Sequence, residues 1–147
     1  MRTLDKREKR ALQERFPQIA IEKKSVVQFD EQRSAYLLDS RCILIEVEGV
    51  PIPFLGRPDL LTSYPTAIID MPAVAHITNG ADLLRPGIVD LGRFGEDAII
   101  IVRDEKNRAG LAVMRALFDS SRIQEMEKGK VAKNLHYVGD RYWKMLV

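Results

Sequence analysis

The sequence predicts an α+β fold: a small α+β domain over residues 1–70, then a small open β-barrel of mixed strands with short helices over residues 71–147. Three observations predict it. Strand-like segments are short and numerous, helix-like segments are few, and the two do not alternate in the rhythm of a parallel βαβ protein. A chain of 147 residues holds one ordinary domain or two small ones, and 46% hydrophobic with 30% charged residues is a globular composition.

The elements follow in order. DKREKRALQERF reads as an amphipathic helix with Leu4, Ala11, Leu12 and Phe16 toward a core and Lys and Arg on the other face, stopped by Pro17. Short strands are expected at 25–29, 34–38, 41–48 and 50–54, the last two joined as a hairpin across Glu48-Gly49. Cys42 lies in the alternating run CILIEVEG, which makes it a buried small residue rather than a reactive thiol. PDLLTSYP forms a short helical linker, and TAIIDMP carries the chain, extended, into the second half because Pro72 disfavours helix before it.

In that second half AVAHI suggests a strand, NGADLLRPG a short helix, and DAIIIVRD a strand apolar on both faces. AGLAVMRALF is its partner across a turn at 105–108. A helix over 122–128 follows, opened by Ser121 with Gln124 as a capping box and closed by Gly129. KVAKNLHYVGDRYWKML ends the chain as one strand, a Gly139-Asp140 turn and a final short strand.

Net charge is +2, and its distribution says more than its sum. Residues 1–24 carry eight Lys or Arg against four acids and residues 122–147 six against three, whereas the 97 residues between them hold nine against fourteen. Clustered cations are the footprint of a polyanion-binding surface or of a merely solvated face, and charge alone does not choose between them. No run of about 18 apolar residues is present to span a bilayer. The start MRTLDKREKR lacks the apolar stretch of a secretory signal, so the expected location is the cytoplasm, with no membrane partner.

The stretch NGADLLRPG packs two backbone breakers, Asn79-Gly80 and Pro86-Gly87, around one turn of helix formers. Read locally, Asn79 caps the helix, Gly80 permits close approach and Asp82 complements the helix dipole. Such a corner offers unpaired N–H groups to a phosphate or base edge, or is simply a strand-to-helix turn.

Two motifs then carry a family resemblance: G-A-x-x-x-R-P-G over residues 80–87, and K-G-x-x-x-x-x-x-H-x-x-x-D-x-x-W over residues 128–143. With DAIIIV and GLAVMRA between them, residues 71–147 resemble the PUA domain, named for pseudouridine synthases and archaeosine transglycosylases. ERFPQI and VPIPFLGRPDLLTSYPTAI resemble the pre-PUA domain of the malignant T-cell amplified sequence family and its short archaeal relatives.

The resemblance implies a translation-associated RNA-binding protein. Its partners would be tRNA or rRNA, with the small ribosomal subunit or a translation initiation factor. PUA domains hold RNA in a groove beside the short first helix and the closing strand, in the transglycosylases at the CCA 3′ end of tRNA. Matched positions here are Gly80, Ala81, Arg85 and Gly87 on one wall and Lys128, Lys130, Lys133 and His136 on the other. Leu84 and Pro86 fit better as core and turn residues, and Trp143 as barrel packing. Lys6, Arg7, Lys9 and Arg10 would add a second RNA or ribosome surface.

An enzyme is the weaker reading. Seventy residues before the PUA-like part leave no room for an RNA-modifying catalytic domain. His76 and His136, with one cysteine, give no metal-ligand spacing, so no metal or cofactor is expected. Nucleotide-binding glycine loops and a nucleophile elbow are absent from the sequence. Other readings left by the sequence are an accessory subunit of RNA modification and a protein-binding adaptor on the ribosome.

Overall fold

Asp5 opens the first helix in the computed structural model, which describes residues 1–147. Its side chain accepts from the Glu8 amide at 2.8 Å while the Glu8 carboxylate accepts from the Asp5 amide at 3.2 Å, a reciprocal capping box that fixes α1 at Lys6–Arg15. Leu12 and the flanking Leu4 and Phe16 are buried, and Pro17 ends the helix. Ala11, expected in the core, is exposed.

The helix packs on a five-stranded antiparallel sheet in which every strand neighbours the next: β1 (Arg2–Thr3), β2 (Val27–Asp30), β3 (Ala35–Leu38), β4 (Arg41–Val47) and β5 (Val50–Pro53). Strands β4 and β5 form the expected hairpin, with Val47 opposite Val50. In β4 four consecutive residues, Cys42 to Ile45, are buried. Burial pushes the Cys42 thiol up to about 12, so it is un-ionised and inert. The 3₁₀ turn Pro58–Leu60 ends this part.

The chain divides into two compact units, Met1–Ser63 and Tyr64–Met145. That division precedes the expected one at 70/71 because β6 (Thr66–Ile69) hydrogen-bonds into the second sheet. The second unit continues with α2 (Met71–Ile77), β7 (Leu83–Leu84), β8 (Ile88–Leu91), β9 (Ile99–Asp104), β10 (Gly110–Ala116), α3 (Ser120–Glu125), β11 (Lys130–Tyr137) and α4 (Arg141–Leu146). Its six strands run β7-β11-β10-β9-β6-β8, with β6 parallel to β9 and every other pair antiparallel, and the sheet curls into a half-barrel. The core is Ile69, Ile77, Leu83, Ile100, Val102, Met114, Ile123 and Val131, each worth roughly 1.5–3 kcal/mol on burial. No helix of the chain is long and apolar enough to cross a membrane.

Besides residues 79–87, described below, three elements differ from what the sequence predicts. AVAHI is part of helix α2, not a strand: Asp70 caps it by accepting from the Ala73 amide at 3.0 Å, and Pro72 sits in its first turn, where a missing N–H costs nothing. RYWKML is helix α4, not a strand, because Asp140 accepts from the Trp143 amide at 2.9 Å. Helix α3 starts two residues early, at Ser120, capped by Asp119 through the Arg122 amide rather than by Ser121. All four α-helices thus begin on an aspartate.

Candidate nucleic-acid interface

The segment 79–87 is not a helix. It leaves the end of α2, makes the two-residue strand β7 against β11 and turns through a 3₁₀ step at Arg85–Gly87. Gly80 follows α2 with φ +93°, a left-handed conformation that turns the chain off the helix. Its amide donates to the Ile77 carbonyl and the Ala81 amide to His76. Those N–H groups are spent on closing α2, so the expected free helix N-terminus at Asn79 does not exist.

Both glycines stand where their own chain comes close, and Gly87 also lines the cleft beside α2. A Cβ on Gly80 would lie 3.1 Å from the Tyr137 ring, and one on Gly87 would lie 3.0 Å from the Ala73 Cβ. Gly80 lets the α2–β7 loop lie on β11, and Gly87 lets the 3₁₀ turn lie on α2. Arg85 is also structural. Its Nε donates to the Ile123 carbonyl at 2.7 Å and its Nη1 to the Ile88 carbonyl at 3.5 Å, so the guanidinium ties the loop to the end of α3. His136 is fully buried, its Nδ1 2.8 Å from Asp140 Oδ2, and belongs to the core rather than to a groove wall.

What these contacts build is a cleft of about 330 Å³ between α2 and residues 81–87, lined by Pro72, Ala73, His76, Leu84, Pro86 and their neighbours. Nearly all of that lining is apolar, and Leu84 is 55% exposed at its mouth. Ala81 is exposed on this lining. His76 stands on the α2 wall, exposed, with Met71 and Pro72 exposed at the start of the same helix. His76 lines the cleft because AVAHI is helical; a strand there would give it no groove to line. The Asp70-Met-Pro opening was the available signal.

The opposite edge carries the cations. Register pairs Lys130 with Leu84 across β7 and β11, which puts the ammonium beside the cleft. Its Nζ lies 2.9 Å from Asp82 Oδ2, and the side chain remains 55% exposed. Burial pushes the Asp82 carboxyl up, but the Asn134 amide and the Lys130 ammonium together outweigh it and hold the group below the usual carboxylate range. Lys133, half-buried on the same strand, adds positive charge near Asp82, and Lys128 is exposed just before the strand.

Asn134 fixes this geometry. Its Nδ2 donates to the Ile77 carbonyl at 3.2 Å and the Ala81 carbonyl at 3.0 Å, while its backbone amide donates to Asp82 Oδ1 at 2.8 Å. One side chain on β11 therefore holds the end of α2 and the loop that forms the cleft's second wall. Nothing in the sequence singled it out.

The basic helix of the first unit is only partly available. Lys9 Nζ donates to the Ser25 carbonyl at 2.7 Å and to Lys23 at 3.2 Å, so it pins the 23–25 loop to α1 and is not a free cation. Lys6, Arg7 and Arg10 are exposed, and Lys6 and Arg10 share an open groove of about 410 Å³ with Lys23.

Residues 65–138 match the PUA domain. An uncharacterized protein of Methanocaldococcus jannaschii is 37% identical over 111 residues, 73% of this chain and 67% of that one. Translation machinery-associated protein 20 of Schizosaccharomyces pombe is 27% identical over 131 residues, covering 82% of this chain and 71% of its own length. Malignant T-cell-amplified sequence 2 of Homo sapiens is 28% identical over 101 residues, where this chain spans 63% of its length and 56% of the relative's. In three dimensions the chain resembles a PUA domain protein of Aeropyrum pernix, crystallised with tartrate, at TM-score 0.80 and 22% identity over 99% of this chain and 89% of that one.

Proposed function

Because the chain belongs to the PUA domain family, we propose that it is a non-catalytic RNA-binding protein of the translation machinery, working in the cytoplasm. The cleft between α2 and residues 81–87 takes unpaired bases of a structured RNA such as tRNA, with the CCA 3′ end as the segment of choice. One observation carries this reading: an apolar, open cleft bordered along one edge by the cations of β11. Apolar walls replace water on the faces of unstacked bases, and ammonium groups beside them neutralise the following phosphates. A folded duplex offers no such faces, so the partner is single-stranded where it binds.

Within this reading Ala81, His76 and Leu84 contact bases and Lys128, Lys130 and Lys133 contact phosphates. Gly80, Gly87, Arg85 and His136 shape the site without touching RNA. Residues 1–63 act as a pre-PUA domain whose exposed Lys6, Arg7 and Arg10 extend the contact to the same RNA, to ribosomal RNA on the small subunit or to an initiation factor bound there.

Filter binding of tRNA with and without its CCA end tests the proposal. Stacking of each base contributes about 1–3 kcal/mol, so removing the end should weaken binding at least about tenfold. With three to five phosphates engaged, log affinity should fall against log salt with a slope of about −2 to −4. Weak association that ignores the CCA end and vanishes with modest salt would favour a protein-binding adaptor instead.

A further inference from the structure

The cleft holds one formally charged side chain, and it is an acid. Asp82 lines an otherwise apolar wall, although the edge beside it is cationic. A carboxylate in that position repels phosphate and accepts N–H donors. Its Oδ1 takes the Asn134 amide at 2.8 Å and its Oδ2 the Lys130 ammonium at 2.9 Å. An ionised carboxylate has about four acceptor directions, so about two are not taken by these partners.

Resting on the RNA-binding reading above, we infer that the cleft selects an unpaired base bearing an exocyclic amine and rejects uracil, with Asp82 as the specificity-determining residue. The chemistry is a matching of donors. Cytosine N4 offers an amine to a carboxylate oxygen, whereas uracil at the same place offers O4, whose lone pairs face the carboxylate. Lys130 completes the arrangement: its ammonium has three donors, one of them on Asp82, which leaves the others for the phosphate beside the bound base. The ion pair thus divides a nucleotide between its two halves, base to the acid and phosphate to the base.

The test is a fluorescence anisotropy titration with labelled octacytidine and octauridine at fixed salt. Wild-type protein should bind octacytidine about tenfold more tightly. D82N turns Oδ2 into a donor that uracil O4 accepts, and the preference should shrink to within about twofold. K130A should weaken both oligomers by a similar factor and keep their ratio. An octamer of N4,N4-dimethylcytidine, which removes the amine donors without altering the protein, should bind wild type no better than octauridine. Equal binding of octacytidine and octauridine by wild type overturns the inference and leaves the RNA-binding reading standing. Tight binding of the dimethylated oligomer overturns it as well, and binding of neither natural oligomer overturns both readings.

Discussion

Strand β11 meets an aspartate at each end, and the two pairs do opposite work. At its far end His136 and Asp140 are closed off from solvent, and the carboxylate gathers three donors: His136 Nδ1 at 2.8 Å, the Tyr137 amide at 2.9 Å and the Trp143 amide at 2.9 Å. At its near end Lys130 and Asp82 meet at a similar distance but stand in water, with side chains 55% and 29% exposed. Distance is therefore a poor guide to role. A buried pair held by several donors of its own chain is a joint, here between β11 and α4, whereas a half-exposed pair beside a cleft is ready to exchange partners.

Removing the joint is the sharpest way to break this contrast. Asp140→Ala leaves His136 buried beside an unfilled space, strips the N-cap of α4 and frees the Tyr137 amide, so it should cost about 3 kcal/mol or more in urea unfolding. Arg85→Ala comes next, at about 2 kcal/mol, because the buried Ile123 carbonyl loses a charged donor. RNA affinity of that variant, measured well below its melting temperature, should change less than its stability does. Lys130→Ala should reverse the order: stability within about 1 kcal/mol of wild type, but weaker RNA binding and a salt slope shallower by about one.

Acid supplies the smallest and most specific effect. Burial pushes Asp140 up, but the His136 hydrogen bond and the backbone donors outweigh it, and its carboxyl sits below the ordinary 3.8. A depressed carboxyl contributes stability that is complete above the unfolded value and is lost as pH falls through the folded one. The stability profile of the wild type should therefore bend downward below about pH 4, and Asp140→Asn, already weaker at neutral pH, should bend less there. A profile with the same acid limb in both proteins would separate Asp140 from that loss.

The first unit was legible where local chemistry and fold agree. The apolar period of DKREKRALQERF and the stop at Pro17 marked α1, and alternation with Glu48-Gly49 marked the β4–β5 hairpin. Ambiguity entered with short apolar runs. AVAHI and RYWKML are each too brief to show a period of 3.6 or 2, and only the aspartate before each one decides for helix. The resemblance pointed to a groove beside the short first helix and the closing strand, but it did not say which matched residues face into it. Arg85, Gly80 and His136 fill motif positions because the scaffold needs them there. His76 lines the cleft only because AVAHI is helical, whereas the importance of Asp82 and Asn134 is tertiary: they join segments distant in sequence.

The parallel pairing of β6 with β9 has a further consequence, for synthesis. The first strand of the second unit becomes an interior strand, yet its neighbours β8 and β9 are translated roughly twenty and thirty residues later. Until they emerge, the apolar Ile68 and Ile69 have no sheet to join. The cation-bearing strand β11 is later still, so the cleft proposed for RNA gains its charged edge only after the other strands of its sheet have been made.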